Sequence, residues 1–281
     1  MAKVTVGLPV YNGDKYLDKA LESLCCQSFD DFEILISDNA STDKTPDIIS
    51  KWQEQSSKIK YFRQNENLGM VGNFDWVFNN ASSPFFILAA HDDLWSKDYV
   101  KELYETMVSN DGCLLAVPKV IKTNPDGSEN LVTPFNDRID EYKGTKRVKK
   151  LLRWAQSGWV YGIFNKEELI KANKATKVYG FAWGNEFITM LPFLLSGKVF
   201  GNNNAIYYQR QTGLSEDRYK PKNLKEQYKL YKSFLRESLN ILKTSKHSAI
   251  AKARLFFAIL KYTDKHAWKI RRLIRSLVFF K

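Results

Sequence analysis

Segments with the pattern of a β-strand alternate with segments with the pattern of a helix over the first 90 residues of this chain. Apolar runs predict strands at 4–10, 32–36, 59–63 and 84–89, and the segments between them predict helices at 15–27, 46–55 and 70–79. Parallel strands need helical crossovers of this kind. The order therefore predicts an α/β protein with a mostly parallel sheet and helices on both of its faces.

The alternation loosens after residue 95. The pattern predicts helices at 97–109, 146–155, 166–171 and 186–195, and short strands near 114–117, 120–122 and 205–210. Residues 125–145 are polar and rich in turn signals, and they are interpreted as an irregular surface loop. From residue 224 onward the sequence predicts two or three helices.

The positive charge is concentrated near the C-terminus. The chain has 281 residues and a net charge of +12, and residues 243–281 contain eleven Lys or Arg and one acid, Asp264. The N-terminus lacks the pattern of a secretory signal, and no apolar stretch is long enough to span a membrane. These features predict a cytoplasmic protein with a basic tail.

Two adjacent carboxylates, Asp92 and Asp93, follow the most apolar predicted strand, separated from it by Ala90 and His91. Adjacent carboxylates repel each other unless a cation or water lies between them. One interpretation is a divalent metal that carries a diphosphate. The other is a solvated turn before the helix that begins near Ser96. The motif alone does not decide between them.

Polar side chains follow the other predicted parallel strands as well. Tyr11 and Asn12 follow the first strand, Asp38 follows the second, and Arg63 ends the third. Ligands bind just outside the carboxyl ends of such strands. The sequence therefore predicts a polar pocket at this edge of the sheet, containing amides, carboxylates and an arginine.

The order and spacing of these motifs resemble those of the family 2 glycosyltransferases. The resemblance is carried by VTVGLPVYNGDKYLDKALESLCCQSFDDFEILISDNASTDKT at 4–45, the Asn67-Leu68-Gly69 loop and the acidic motif, and it continues more weakly over 158–212. It implies a GT-A fold, a Rossmann-like and mostly parallel sheet flanked by helices, with a C-terminal helical extension. The expected domains are a glycosyltransferase domain at 1–215 (nucleotide-binding half 1–95, acceptor half 96–215) and a basic helical region at 216–281.

The resemblance also implies a set of residues that bind the nucleotide-sugar: Pro9, Tyr11, Asn12, Asp38, Arg63, Asn67, Asp93 and Arg210. Asp38 is expected to accept hydrogen bonds from the base, although its surroundings are also a good turn sequence. Arg63 either neutralises a phosphate or is a solvated strand end. Asn67 is favoured as a residue that shapes its loop.

Asp92 is the implied metal ligand, for Mn²⁺ or Mg²⁺ bridging the two phosphates of the donor. The family's usual motif is Asp-X-Asp, and this chain has Ala90-His91-Asp92 instead. One expected carboxylate is therefore missing. Either the metal binds less tightly or another ligand contributes, and His91 is a poor candidate because these metals prefer oxygen.

Glu186 is the implied catalytic base, at the start of a helix that ends near Gly197. The alternative is that Glu186 only stabilises the positive N-terminus of that helix. Near the end of the resemblance, Gln211 stands where many members of the family have a histidine, and Arg210 is expected to bind the diphosphate.

The last residues of the chain have the pattern of a basic amphipathic helix. Its apolar positions follow helical spacing: Ile270, Leu273, Ile274, Leu277 and Val278. The favoured interpretation is a helix that lies on an anionic membrane surface, and the alternative is a helix that packs on the body of the protein. Nothing else in the sequence supports nucleic-acid binding, so no nucleic-acid partner is expected.

The resemblance implies an inverting glycosyltransferase (EC 2.4, hexosyltransferase type) that uses a nucleoside-diphosphate sugar, with UDP favoured because of Asp38. Its expected acceptor is a glycan or a lipid-linked glycan, in the biosynthesis of a surface polysaccharide such as O-antigen, capsule or exopolysaccharide. It is expected to be peripheral on the inner face of the cell membrane. The alternative is a degenerate, non-catalytic sugar-nucleotide binder, and a nucleotidyltransferase is disfavoured because the first strand lacks a Gly-rich phosphate loop.

Overall fold

The computed structural model describes residues 2–212 and 219–267, apart from the side chains of residues 175 and 176. The predicted tail helix at 270–278 lies outside the described residues. Within the described ranges, no helix has the length and apolar character needed to cross a membrane.

The described strands form one sheet, and most of the helices connect them. The strands are β1 (Val4–Val10), β2 (Phe32–Asp38), β3 (Ile59–Arg63), β4 (Phe85–Leu88), β5 (Leu94–Trp95), β6 (Leu115–Thr123), β7 (Glu129–Thr133), β8 (Ile163–Asn165) and β9 (Val199–Arg210). The helices are α1 (Asp14–Cys25), α2 (Thr45–Gln55), α3 (Gly69–Asn80), α4 (Tyr99–Ser109), α5 (Gly144–Trp154), α6 (Lys166–Tyr179), α7 (Asn185–Ser196), α8 (Leu224–Thr244) and α9 (Ala249–His266).

The parallel half of the sheet is formed by β1 to β4. β1 lies between β2 and β4, and β3 pairs with the outer side of β2, all in parallel register. Every residue of β1 and β2 is buried, as expected for strands covered by helices on both faces. Gly7 is required within β1, because a Cβ there would lie 2.4 Å from the ring of Phe86. The expected α/β architecture is confirmed.

The other half of the sheet is antiparallel. β8 runs antiparallel to both β4 and β6, and β5 runs antiparallel to β9. The sheet order is β3-β2-β1-β4-β8-β6-β9-β5, with β7 paired to β6. Because β1 to β4 all run in the same direction, their carboxyl ends lie together at one edge of the sheet.

Two predictions for this half are wrong. The two short strands expected at 114–117 and 120–122 are one strand, β6, because its pairing with β7 and β8 continues through them. The expected irregular loop contains β7 and a short 3₁₀-helix at Asp137–Glu141. β7 is an almost entirely exposed strand, so its sequence shows no alternation of apolar and polar residues.

The chain divides into two compact units. The first consists of residues 1–135, 161–170 and 200–212 and contains the sheet. The second consists of residues 136–160, 171–199 and 213–281, and its described residues are mainly helical, with α8 and α9 as the expected C-terminal extension. Arg147 organises the second unit, because its guanidinium donates to the carbonyl oxygens of Gly197, Ile139 and Val199 at 2.7, 2.9 and 2.8 Å.

Candidate active site

Asn12 joins the loop after β1 to the loop after β2. Its backbone has a φ of 50°, and its N–H donates to Ser41 Oγ at 2.9 Å. Its Oδ1 accepts from the Thr42 N–H at 2.9 Å. Tyr11, the preceding residue, is 39% exposed, whereas Pro9 is buried within β1. These contacts fix the shape of the loop and leave the Tyr11 ring accessible to a ligand.

Asp38 ends β2 and is fully buried, at 0% exposure. Its Oδ1 accepts from the Ser41 N–H at 2.9 Å, and its Oδ2 accepts from the Tyr61 hydroxyl at 3.0 Å. Burial and the Asp38 carboxylate raise the pKa of Tyr61 to about 12, so this hydroxyl remains a donor at neutral pH. A carboxylate oxygen accepts two hydrogen bonds, so Asp38 retains capacity for a ligand.

Arg63 lies beside Asp38 at the end of β3. Its Nη1 is 3.9 Å from Asp38 Oδ2, and its Nη2 donates to the carbonyl oxygen of Ser41 at 2.7 Å. The Arg63 side chain is 47% exposed. A ligand reaches Asp38 only after a neighbouring side chain moves. Arg63 is more exposed than Ser41 and Tyr61, which also contact the Asp38 carboxylate.

Asn67 and Asn73 make their contacts within the loops. Asn67 Oδ1 accepts from Asn39 Nδ2 and from the Gly69 N–H, both at 2.8 Å. Asn73 is almost fully buried, and its Nδ2 donates to the carbonyl oxygen of Ser37 at 3.0 Å. These two amides therefore hold the ends of the loops in place.

The two adjacent carboxylates have different surroundings. Asp92 is partly exposed, and its Oδ2 accepts from the Thr212 hydroxyl at 3.5 Å. Asp93 is only 4% exposed; it accepts from the Tyr207 hydroxyl, and its Oδ1 accepts from the Arg210 backbone N–H at 2.7 Å. Burial and the neighbouring Asp92 raise the pKa of Asp93 to about 8. Asp93 thus holds β9 against the acidic loop, and Asp92 is left available to a ligand.

Arg210 extends from the end of β9 over the ring of Tyr16 in α1. The guanidinium carbon is 4.6 Å from the ring centroid. Its Nη1 is buried and has no hydrogen-bond partner in the described part of the chain. A buried cationic nitrogen without a partner is costly unless an anion binds there. Tyr16 was not predicted as a site residue, because a single aromatic residue in an amphipathic helix gives no sequence signal.

The fit of a divalent metal rests on Asp92. Across residues 2–212 and 219–267, no group of three or more His, Cys, Asp or Glu side chains is placed to hold a metal ion. Ala90 supplies no ligand, and the Asp93 oxygens are engaged with Tyr207 and Arg210. One carboxylate is nevertheless sufficient for Mg²⁺ when substrate phosphates supply further oxygens. The residues therefore fit a metal that arrives with a diphosphate.

Glu186 lies in the second unit, in the first turn of α7. Gly184 precedes the helix and has a φ of 80°. A residue with a side chain would be strained at this position. Burial raises the pKa of Glu186 to about 7, and its charge contributes to raising the pKa values of Tyr179 and Tyr262. The hydroxyls of both tyrosines donate to backbone carbonyl oxygens, of Trp183 and Phe187. Glu186 can therefore gain or lose a proton near neutral pH.

The fold with its acidic edge is that of the GT-A glycosyltransferases. The family described as Glycosyl transferase family 2 matches residues 5–165, more than half of the chain. The chain belongs to this family and is a glycosyltransferase.

The curated relatives include glycosyltransferases whose names give different sugars. The chain is 28% identical over 224 residues to the dolichyl N-acetyl-alpha-D-glucosaminyl phosphate 3-beta-D-2,3-diacetamido-2,3-dideoxy-beta-D-glucuronosyltransferase of Methanococcus voltae, covering 74% of this chain and 68% of that protein. Other curated relatives are matched over only 15% and 30% of their own length.

Solved structures share the fold. The S. aureus TarS 1–349 complex with UDP-GlcNAc superposes with a TM-score of 0.69 at 17% identity, covering 94% of this chain and 73% of that one. The mannosyltransferase PcManGT of Pyrobaculum calidifontis, in complex with GDP-Man and Mn²⁺, gives a TM-score of 0.57 at 14% identity, covering 94% and 73%. At these identities the likeness establishes the fold and not the donor.

Proposed function

We propose that this glycosyltransferase uses a nucleoside-diphosphate sugar and transfers the sugar with inversion to an acceptor hydroxyl. The observation that carries the proposal is the buried Nη1 of Arg210, which has no hydrogen-bond partner among residues 2–212 and 219–267. The bond from the Arg210 backbone to Asp93 holds this residue next to the acidic loop. A guanidinium binds phosphate oxygens well. Arg210 therefore binds the diphosphate of the donor, and the partly exposed Asp92 lies in the same loop cluster.

The base of the donor is assigned to the pocket of Tyr11, Asp38 and Arg63. A uracil imide N–H is a donor, and the Asp38 carboxylate is an acceptor with remaining capacity. UDP is the favoured nucleotide for this reason. Tyr11 offers an exposed ring on which a base can stack, and the Arg63 side chain moves to open Asp38.

Asp92 would hold Mn²⁺ or Mg²⁺ at the diphosphate, where the ion would offset the charge that develops on the leaving group. The acceptor oxygen attacks the anomeric carbon as the bond from that carbon to the diphosphate oxygen breaks. Glu186 takes the proton of the acceptor hydroxyl, and its pKa of about 7 suits a general base near neutral pH. The nucleoside diphosphate leaves with the bonding electron pair.

The acceptor is proposed to be a lipid-linked glycan of a surface polysaccharide pathway. The name of the Methanococcus voltae relative describes a dolichyl-phosphate-linked sugar as the acceptor. The basic tail at 268–281 is proposed to contact an anionic membrane surface near such an acceptor. The second candidate is a non-catalytic sugar-nucleotide binder, which is favoured by Ala90 in place of the expected carboxylate.

The test is a thermal-shift panel with UDP, GDP, dTDP and CMP, each with and without Mn²⁺, together with an assay of donor hydrolysis. A ligand that binds only the folded state raises its stability by mass action. Stabilisation by UDP that increases with Mn²⁺ supports the assignment. Stabilisation by GDP or dTDP but not by UDP contradicts the preference for uracil, although both bases also carry a ring N–H that can donate to Asp38. Stabilisation by CMP alone contradicts the assignment of Asp38, because cytosine has no such N–H. Stabilisation without hydrolysis or transfer favours the binder.

A further inference from the structure

One face of α9 in the second unit exposes large apolar side chains to solvent. Ile250 is 68% exposed and Phe257 is 69% exposed, seven residues apart and so on the same side of the helix. The opposite side is buried in the unit, through Leu255 and Ile259. Ile250 and Phe257 therefore do not contribute to the core formed by the described residues.

The same face carries two cations between and beyond the apolar residues. Arg254 and Lys261 are both exposed, and they continue the spacing of Ile250 and Phe257 at helical intervals. This sequence of apolar, basic, apolar and basic residues forms a stripe along the helix. We call Ile250, Arg254, Phe257 and Lys261 the α9 stripe.

An apolar groove lies beside the stripe, between α8 and α9. Its volume is about 450 Å³, and it is lined by Leu239, Leu242, Lys243, Lys252, Ala253 and Phe256. Phe256 is 40% exposed and its ring lies 5.6 Å from that of Phe257. Lys252 Nζ donates to the carbonyl oxygen of Lys243 at 2.6 Å, which places the Lys252 side chain at the rim of the groove.

The charge of this region indicates the kind of partner. Residues 239–266 contain six Lys or Arg and a single acid, Asp264. Exposed apolar side chains beside basic ones are typical of helices that lie in the interface of an anionic bilayer, where the apolar groups enter the headgroup region and the cations meet lipid phosphates. A protein partner with a neutral apolar surface would offer no anion to Arg254 and Lys261 of the stripe.

We propose that the α9 stripe and the adjoining groove form a docking surface for an anionic lipid membrane. The surface consists of residues of α8 and α9, and the tail at 268–281 is not part of the proposal. The inference rests on the proposed function in one respect: an enzyme with a lipid-linked acceptor has to reach that acceptor at a membrane. Lipid binding can be measured without donor or acceptor, so its failure is distinguishable from the failure of the proposed reaction.

The experiment is sedimentation of the full-length protein with vesicles of phosphatidylcholine containing 30% phosphatidylglycerol, and with vesicles of phosphatidylcholine alone. The wild type is expected to bind the anionic vesicles more tightly. I250Q/F257Q is expected to bind them about tenfold more weakly, because each side chain loses apolar burial at the interface. R254Q/K261Q is also expected to bind the anionic vesicles about tenfold more weakly, and to lose most of the preference for anionic over neutral lipid.

Tyr228→Gln is the matched control, because Tyr228 is a 59% exposed aromatic residue on the neighbouring helix α8. It is expected to bind vesicles like the wild type. A further full-length variant, I274Q/L277Q, separates the contribution of the tail. Since all of the substituted positions in α9 are exposed, unfolding is not expected, and circular dichroism verifies this for each variant.

Equal binding of wild type and I250Q/F257Q to anionic vesicles would overturn the proposal. Loss of binding in I274Q/L277Q alone would also overturn it and assign the membrane contact to the tail. Equal binding together with dissociation of a wild-type dimer by I250Q/F257Q would identify a second copy of the chain as the occupant of the stripe. Loss in both the α9 and the tail variants supports a surface in which both take part.

Discussion

Replacing Glu186 with glutamine is expected to make the enzyme more stable and nearly inactive at the same time. Burial raises the pKa of Glu186 from its usual 4.5 to about 7. Above pH 7 the folded protein therefore keeps a charge that its surroundings disfavour. Glutamine has almost the same shape and carries no charge, so E186Q removes this cost together with the proton acceptor.

The size of the effect follows from the difference in pKa. Raising the pKa of Glu186 from 4.5 to about 7, at 1.36 kcal/mol per pH unit, corresponds to about 3 kcal/mol in the free energy of unfolding. This is an upper bound because the side chain is partly exposed. Between pH 4.5 and 7 the folded state binds more protons than the unfolded state. The contribution of Glu186 to the free energy of unfolding is therefore fully present below pH 4.5 and decreases as the pH rises to about 7.

The assay is urea unfolding of the wild type, E186Q and E105Q at pH 5 and pH 8. The free energy of unfolding of E186Q, measured relative to that of the wild type, is expected to be higher at pH 8 than at pH 5 by on the order of 1–3 kcal/mol. E105Q, a substitution of an exposed glutamate on α4, should show no such gain.

The activity of the enzyme tests the same residue. Wild-type kcat/KM is expected to rise with pH to a plateau above about 7, and kcat of E186Q should be about 10²–10⁴-fold below that of the wild type. Wild-type-like activity in E186Q would refute the assignment of the base, and unchanged stability at both pH values would refute the buried charge.

Three further results are expected. Asp92→Asn should abolish the part of UDP binding that depends on Mn²⁺ in calorimetry and lower turnover by about 100-fold. Mn²⁺ without UDP should not bind either protein measurably, since residues 2–212 and 219–267 contain no group of three or more His, Cys, Asp or Glu side chains placed to hold a metal ion. Arg147→Ala should lower the free energy of unfolding by about 3 kcal/mol, since it leaves two buried carbonyl oxygens and one partly buried carbonyl oxygen without their donor. A loss below about 1 kcal/mol would contradict this account. Gly162→Ala should cost about 1–3 kcal/mol in urea unfolding, because its Cβ would lie 2.3 Å from the backbone oxygen of Ala116, which cannot rotate away.

The parallel half of the fold could be predicted from the sequence because each of its elements has a local signal. The apolar runs of β1, β2 and β4 and the amphipathic helices between them are readable within windows of about 10 residues. The antiparallel half depends on pairings between distant segments. β4 pairs with β8, and Leu94 of β5 lies opposite Tyr208 of β9, neither of which leaves a local pattern.

The candidate site was predictable to the same extent. The loops after the parallel strands could be placed at one edge from the strand order alone. The division of roles between Asp92 and Asp93 could not, because it depends on Tyr207, 114 residues away from Asp93. The stacking of Arg210 on Tyr16 is likewise a contact between distant segments, and it appears only in the three-dimensional structure.

The bond between Asp93 and Tyr207 has a consequence for how this chain can change during evolution. Loss of the tyrosine hydroxyl would leave a buried carboxyl group with one donor fewer, and loss of the carboxyl group would leave a buried hydroxyl without its acceptor. Either single replacement would also loosen the attachment of Arg210, whose backbone donates to the same carboxyl group. Positions 93 and 207 are therefore expected to be inherited as a pair, and a lineage that abandons one is expected to abandon both.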